Sequence, residues 1–157
     1  MPLSLVGVVY TADGRQIDIS IGEDPNDPVF FINDLLPHLG KDQAAKKLGE
    51  AITGEMLMPL VGTYSEEEKT KPQILELLRE KYGITEEDFT SAELEIIPAQ
   101  KSREVGLDRS LLMSHGHDDR VCSYGNLAAI LSAAPGAKTQ VALFADKEEI
   151  GSVGNTG

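Results

Sequence analysis

Residues 3–21 read LSLVGVVYTADGRQIDISI. An apolar, β-branched run from Leu3 to Tyr10 breaks at Thr11-Ala-Asp-Gly14, and polar and apolar residues then alternate from Arg15 to Ile21. A period of two puts Ile17, Ile19 and Ile21 on one face of a sheet. Asp13-Gly14 supplies the positive φ that a tight turn demands. The stretch is a β-hairpin, and the rest of the chain must either pack on it or stand apart.

Downstream, Gly22 to Pro28 is a loop by its Pro, Asn and Asp content. Val29 to Ile32 is a brief apolar run, and Asn33 to Leu39 reads as a helical turn. Lys41 to Ile52 reads as a helix weakened by Gly49, and Glu55 to Val61 as extended chain. Ser65-Glu-Glu-Glu68 has a capping-box pattern, while Pro72 places the start of the main helix near itself. Ile74, Leu75, Leu77, Leu78 and Tyr82 give that helix its apolar stripe. Gly83 ends it, Thr85 to Asp88 begins a short turn, and Ser91 to Ile97 alternates as a strand.

The rhythm changes after the polar run Gln100–Arg109, where the domain boundary is expected. Leu127, Ile130, Leu131 and Ala134 mark a helix that Pro135-Gly136 terminates. Lys138 to Ala145 reads as a strand buried on both faces, as in a parallel sheet. The expected fold is thus an α+β domain over residues 1–106, followed by an incomplete α/β portion over 107–157.

Composition narrows the function classes. Hydrophobic residues are 41% and charged residues 25% of 157 positions, enough apolar material for a core. A formal charge of −12 argues against nucleic acid, whose phosphates would be repelled. No apolar run approaches the ~20 residues of a membrane span, so no membrane partner is expected. The first residues lack the basic flank and cleavage site of a signal peptide. Cys122 is the single cysteine, which excludes an intrachain disulfide framework and points to a reducing, cytoplasmic setting.

Two acidic clusters carry candidate chemistry: HDDR at 117–120 and DKEE at 146–149. The second follows the C-terminal end of an expected parallel strand, where α/β folds collect ligands. Clustered carboxylates repel unless cations hold them, and Asp, Glu and His suit divalent ions. The plainer reading is that each acid pair opens a helix, where negative charge favours the helix dipole. Spacing alone leaves both readings open. The glycine-rich GSVGNTG segment lacks the Lys-Ser/Thr of a phosphate-binding P-loop.

The segments GLDRSLLMSHGHDDRVCSYGNLAAI and VALFADKEEIGSVGNTG together resemble the aspartyl aminopeptidase and aminopeptidase I family of di-metal exopeptidases. The segment IGEDPNDPVFFINDLLPHLGKDQAAKKLGEAITGEML resembles that family's inserted domain, in its bacterial branch. The resemblance implies an inserted dimerisation and lid domain over 1–106 and part of a metallopeptidase domain over 107–157. It implies that Asp118 bridges two divalent metal ions, zinc first, with cobalt or manganese as alternatives. By the same resemblance Glu148 is the general base and Glu149 a metal ligand. Asp119 stands behind the ligands, and Arg120 is an ion-pair partner. His38, in Pro37-His38-Leu39, matches a histidine that the family brings to a partner subunit's substrate.

The family's other ligands lie before this chain begins and beyond Gly157, so the chain is expected to be an inactive fragment of a peptidase. His115 and His117 are not ligand positions in that family, and Cys122 is expected as a small buried hydrophobe. The implied partners are a peptide substrate and further copies of the chain, a dimer that builds a dodecamer. A different class of function, a non-catalytic oligomerisation module, rests on the apolar EMLMPLV at 55–61, which could equally be ordinary core.

Overall fold

The computed structural model describes residues 1–63 and 70–145. The chain forms two compact units, Met1–Gln100 and Lys101–Gly157. Together they are a mixed α/β chain.

In the first unit, β1 (Leu3–Tyr10) is the central strand of a three-stranded antiparallel sheet between β2 (Gln16–Ile21) and a later strand. The expected hairpin forms, with Val9 opposite Ile17 and Leu5 opposite Ile21. At its turn Gly14 takes φ 83°, and the Gly14 amide donates to the Thr11 carbonyl at 2.9 Å. Asp13 accepts from the Arg15 guanidinium at 2.8 Å and from the Thr11 hydroxyl, and those donors lower its pKa, the Thr11 bond most.

Gly7 sits mid-strand with φ 144°. A Cβ there would stand 2.1 Å from the Glu93 carbonyl oxygen of the neighbouring strand, so only glycine permits this approach.

Two-residue strands β3 (Phe31–Ile32) and β4 (Pro59–Leu60) pair antiparallel. Between them the chain is less regular than its sequence pattern predicts. The turn at 36–39 closes with Leu39 N–H on the Leu36 carbonyl at 2.8 Å. The helix expected over 41–52 is two single turns, α1 (Lys41–Ala44) and α2 (Leu48–Ala51). Neither buries a residue, so no packing offsets the cost of nucleating a longer helix. The extended stretch expected over 55–61 is likewise broken, since Gly54–Met56 is a 3₁₀ turn. The capping-box pattern at 65–68 lies outside the described residues.

Helix α3 (Thr70–Tyr82) then lies on the sheet, followed by a 3₁₀ segment Glu86–Ser91 and strand β5 (Ala92–Pro98). β5 pairs antiparallel with β1, Leu94 opposite Gly7. The strand alternation directs Val9, Ile19 and Ile21 to one face, where Ile84 completes the buried core. Leu78 and Tyr82, four apart on α3, pack against it. The Tyr82 hydroxyl also donates to the Ser20 carbonyl at 2.7 Å, fixing helix to strand. The loop at 22–28 is held by Asp27, which accepts from the Gly22 amide at 3.1 Å and faces the Lys81 ammonium at 3.3 Å.

The second unit opens with a hairpin of β6 (Arg103–Val105) and β7 (Leu111–Met113), with Arg103 opposite Met113. Helix α4 (His117–Ser132) comes next and ends before Pro135, as its apolar spacing and Pro-Gly stop predict. The strand expected over 138–145 does not form. A parallel strand takes its backbone hydrogen bonds from neighbours, and among the described residues β6 and β7 pair only with each other. Val141 and Leu143 are 79% and 82% exposed, the reverse of the buried strand expected there.

Candidate functional site

The candidate site is built on the junction between β7 and α4. Gly116 precedes the helix with φ 70°, a left-handed conformation that glycine adopts at no steric cost. His117, Asp118 and Asp119 come directly after it. Asp118 (φ −87°, ψ 117°) and Asp119 (φ −109°, ψ 22°) are not helical, and the peptide bond between them is cis. Regular helix therefore begins at Arg120, and the Asp-Asp pair stands at its mouth as the acid pattern predicts.

Both carboxylates are exposed, as is Arg120. The Arg120 side chain folds back over Gly116, with Nε and Cζ 3.4 and 3.5 Å from where a Cβ on that glycine would stand. The same turn carries His115 and His117. With Ser102, Ser114 and Tyr124 these residues line a shallow cleft of about 300 Å³. The Ser102 and Ser114 hydroxyls hydrogen bond at 2.8 Å.

Cys122 is exposed, not the buried hydrophobe its residue type predicts. It lies three residues past Asp119, whose carboxylate accepts from the thiol and pushes its pKa up, aided by the charge of Asp118. A helix turn places residues i and i+3 side by side, which is why this small side chain faces the acids rather than a core.

Asp118, Asp119 and Arg120 are thus brought to one helix start. His38 lies in the first unit, exposed in the turn Pro37–Leu39. Glu148 and Glu149 lie outside the described residues. Among the described residues no group of three or more His, Cys, Asp or Glu is gathered to hold a metal ion. The carboxylate oxygens of Asp118 suit a zinc-type ion as one share of a ligand set. Completing that set needs donors beyond those the described residues bring together.

The motif pattern alone did not point to Ser102 and Tyr124. Tyr124 is recoverable from its i+4 spacing to Arg120. Ser102 is recoverable only from the hairpin register, which sets Arg103 opposite Met113 and so brings Ser102 to Ser114.

Comparison with known proteins places these observations. The family model described as aminopeptidase I zinc metalloprotease (M18) matches residues 1–157. A Thermotoga maritima protein named "Probable M18 family aminopeptidase 1" is 52% identical over 161 residues, covering 100% of this chain and 35% of the relative. The protein of the same name from Clostridium acetobutylicum is 46% identical over 162 residues, again 100% of this chain and 35% of the relative. The crystal structure of the M18-family aminopeptidase from Thermotoga maritima superposes with a TM-score of 0.85 at 50% identity, covering 100% of this chain and 35% of that one. The chain therefore spans about a third of the length of the relatives it matches. Among the described residues no helix is long and apolar enough to cross a membrane.

Proposed function

The chain belongs to the aminopeptidase I zinc metalloprotease (M18) family, and on that premise we propose that it is part of a cytoplasmic metallo-aminopeptidase that removes N-terminal residues, acidic or neutral, from peptides. The observation that carries the reading is the match over the whole chain at 52% identity to a relative named as an aminopeptidase.

The first unit is then the inserted dimerisation and lid domain, and the second a portion of the catalytic domain. Asp118 and Glu149 would be among the residues that hold the divalent ions, two in number, zinc by family with cobalt or manganese as substitutes. When bound, such ions would supply Lewis-acid chemistry, polarising the scissile carbonyl and making a water nucleophilic near neutral pH, at a pKa of roughly 7. Glu148 would act as the general base, accepting the proton of the attacking water and handing it to the leaving amine. Asp119 orients the ligand beside it, as carboxylates behind metal ligands do. His38 approaches the substrate in a partner subunit. The chain covers 35% of the relatives it matches, and among the described residues no metal-holding group is gathered, so the activity is read as that of the whole protein.

The test uses the full-length enzyme carrying this chain, loaded with zinc and assayed on aminoacyl p-nitroanilides. Glu148→Gln is expected to lower kcat by about 10²- to 10⁴-fold, the usual span for removing a general base. A variant that keeps wild-type kcat would remove Glu148 from the mechanism. Asp118→Asn is expected to lose bound zinc by elemental analysis, and full occupancy would remove the bridging role.

A second reading, self-association through the first unit, is favoured by its exposed apolar side chains. Leu48 is 93% and Met58 73% exposed, an apolar surface typical of contact sites. It predicts a dimer that assembles further, and sedimentation of Leu48→Glu and Met58→Glu variants checks it. Unchanged assembly would free that surface from the interface.

A further inference from the structure

Helix α4 is exposed over most of its surface, and its three half-buried residues are Ser123, Asn126 and Ile130. Their spacing of i, i+3 and i+7 puts them on one helix face. The polar residue in the middle of that face is the one to explain. Asparagine gains nothing from a mid-helix position, since its amide competes with the backbone for hydrogen bonds there. A half-covered amide also needs a partner to offset the water it loses.

Asn126 finds that partner far away in sequence. Its Nδ2 donates to the Leu143 carbonyl at 2.8 Å. Residues 138–145 form no strand, so no sheet ladder takes that carbonyl, and the Asn126 amide stands in for a neighbouring strand's donor. Among the described residues no other hydrogen bond joins α4 to this segment. The turn between them is drawn in separately, by Gln140 Nε2 donating to the Ala134 carbonyl at 2.9 Å.

The bond ties together the two parts of the chain that carry the candidate acids. Helix α4 opens at Asp118, and Leu143 lies on the segment that runs, in sequence, to Glu148 and Glu149. Without the bond, the last residue held in α4 is Ser132, sixteen residues before Glu148. With it, the held point is Leu143, five residues before. Fully extended, those lengths of chain are about 55 Å and about 18 Å. Catalysis by placed groups is steep in position, and an error of about 1 Å can cost about 10²-fold in rate.

We propose, on the reading of Asp118, Glu148 and Glu149 as peptidase residues, that Asn126 is a positioning residue for the two glutamates. Its amide pins the segment leading into them to the helix that begins at Asp118. It acts through where Glu148 stands, not by contact with the substrate.

The first experiment uses the zinc-loaded full-length enzyme on leucyl p-nitroanilide, with rates referred to bound zinc. Asn126→Leu keeps the size of the side chain and removes the donor, while Asn126→Gln keeps a donor. Asn126→Leu is expected to lower kcat by about 10- to 100-fold with KM within about twofold, and Asn126→Gln to recover part of the loss. In a Glu148→Gln background the same leucine substitution should cost less than about twofold, because the group it positions is already gone. A kcat within about twofold of wild type, a loss carried by KM, or full additivity of the two substitutions overturns the proposal. If Glu148→Gln alone keeps wild-type kcat, it is the peptidase reading that fails, and the proposal with it.

The second measurement needs neither a substitution nor activity. In the isotopically labelled 157-residue chain, NMR is expected to show a scalar coupling across the hydrogen bond, from Asn126 Nδ2 to the Leu143 carbonyl carbon. Exchange of that side-chain amide should be slowed relative to the exposed Asn33. An Asn126 amide that exchanges as fast as that of Asn33, with no coupling, overturns the pin whatever the enzyme's kinetics.

Discussion

The two units are of one polypeptide, yet they satisfy their apolar side chains differently. The first closes on itself. Val9, Ile19, Ile21 and Ile84 are at most 7% exposed and are sealed by the helix at 70–82. In the second, no described residue is buried. Helix α4 runs from His117 to Ser132 without burying one of its apolar side chains, and Leu131 is 76% exposed. The lesson is that secondary structure and a core are separate achievements. A sheet with a helix across it holds both, while a hairpin and a helix without a facing layer hold only the first.

The largest expected contrast is in amide hydrogen exchange of this chain. Strands β1 and β5 should exchange through global opening, and α4 through local fraying, since isolated helices of this length are marginal in water. Protection in β1 is expected to exceed that in α4 by on the order of 10³-fold. Comparable protection would erase the distinction between the units. Core truncation sharpens it next. Ile84→Ala should cost about 2–5 kcal/mol in urea melts of the first unit, whereas Leu131→Ala should stay within about 0.5 kcal/mol. A large loss from the second substitution would mean that α4 packs on something.

Smaller effects probe how well the first unit is finished. The Ser4 hydroxyl is buried without a hydrogen-bond partner among the described residues, so Ser4→Ala should be neutral or slightly stabilising. A clear loss in the melting midpoint would point to an internal water bound there. The weakest contrast is with pH. The Gly22 amide first, and then Lys81, hold the Asp27 pKa below its ordinary value. A lowered folded pKa gives stability that is complete above about pH 4 and lost as the pH falls through the folded value. Asp27→Asn should flatten the acid limb of the unfolding midpoint between about pH 5 and 2. An acid limb identical to wild type would mean that the 22–28 loop contributes nothing to closure.

How far the sequence could be read divides along the same line. Hairpin 3–21 and the helix at 70–82 were readable because their signals are local and mutually consistent: alternation with Asp13-Gly14, and an apolar stripe ended by Gly83. Residues 41–61 carry apolar content without a layer to pack on, so the expected continuous helix became two short turns. The expected strand at 138–145 failed for want of neighbours, a condition that no pattern within the segment itself can report. At the candidate site, the Asp118-Asp119 pair was readable as a helix start. The seating of Arg120 over Gly116, the exposure of Cys122 and the approach of Ser102 depend on backbone geometry that residue types do not specify.

Gly7 carries a consequence for sequence variation. It is only half-buried, so a ranking of tolerance by solvent exposure would place it in the middle of its strand. The neighbouring carbonyl at 2.1 Å from any added carbon makes the opposite demand. In a saturation library selected for folded protein, position 7 should retain a single amino acid while the fully buried Val9 accepts isoleucine or alanine at moderate frequency. The strand's most selective position is then one with no side chain at all.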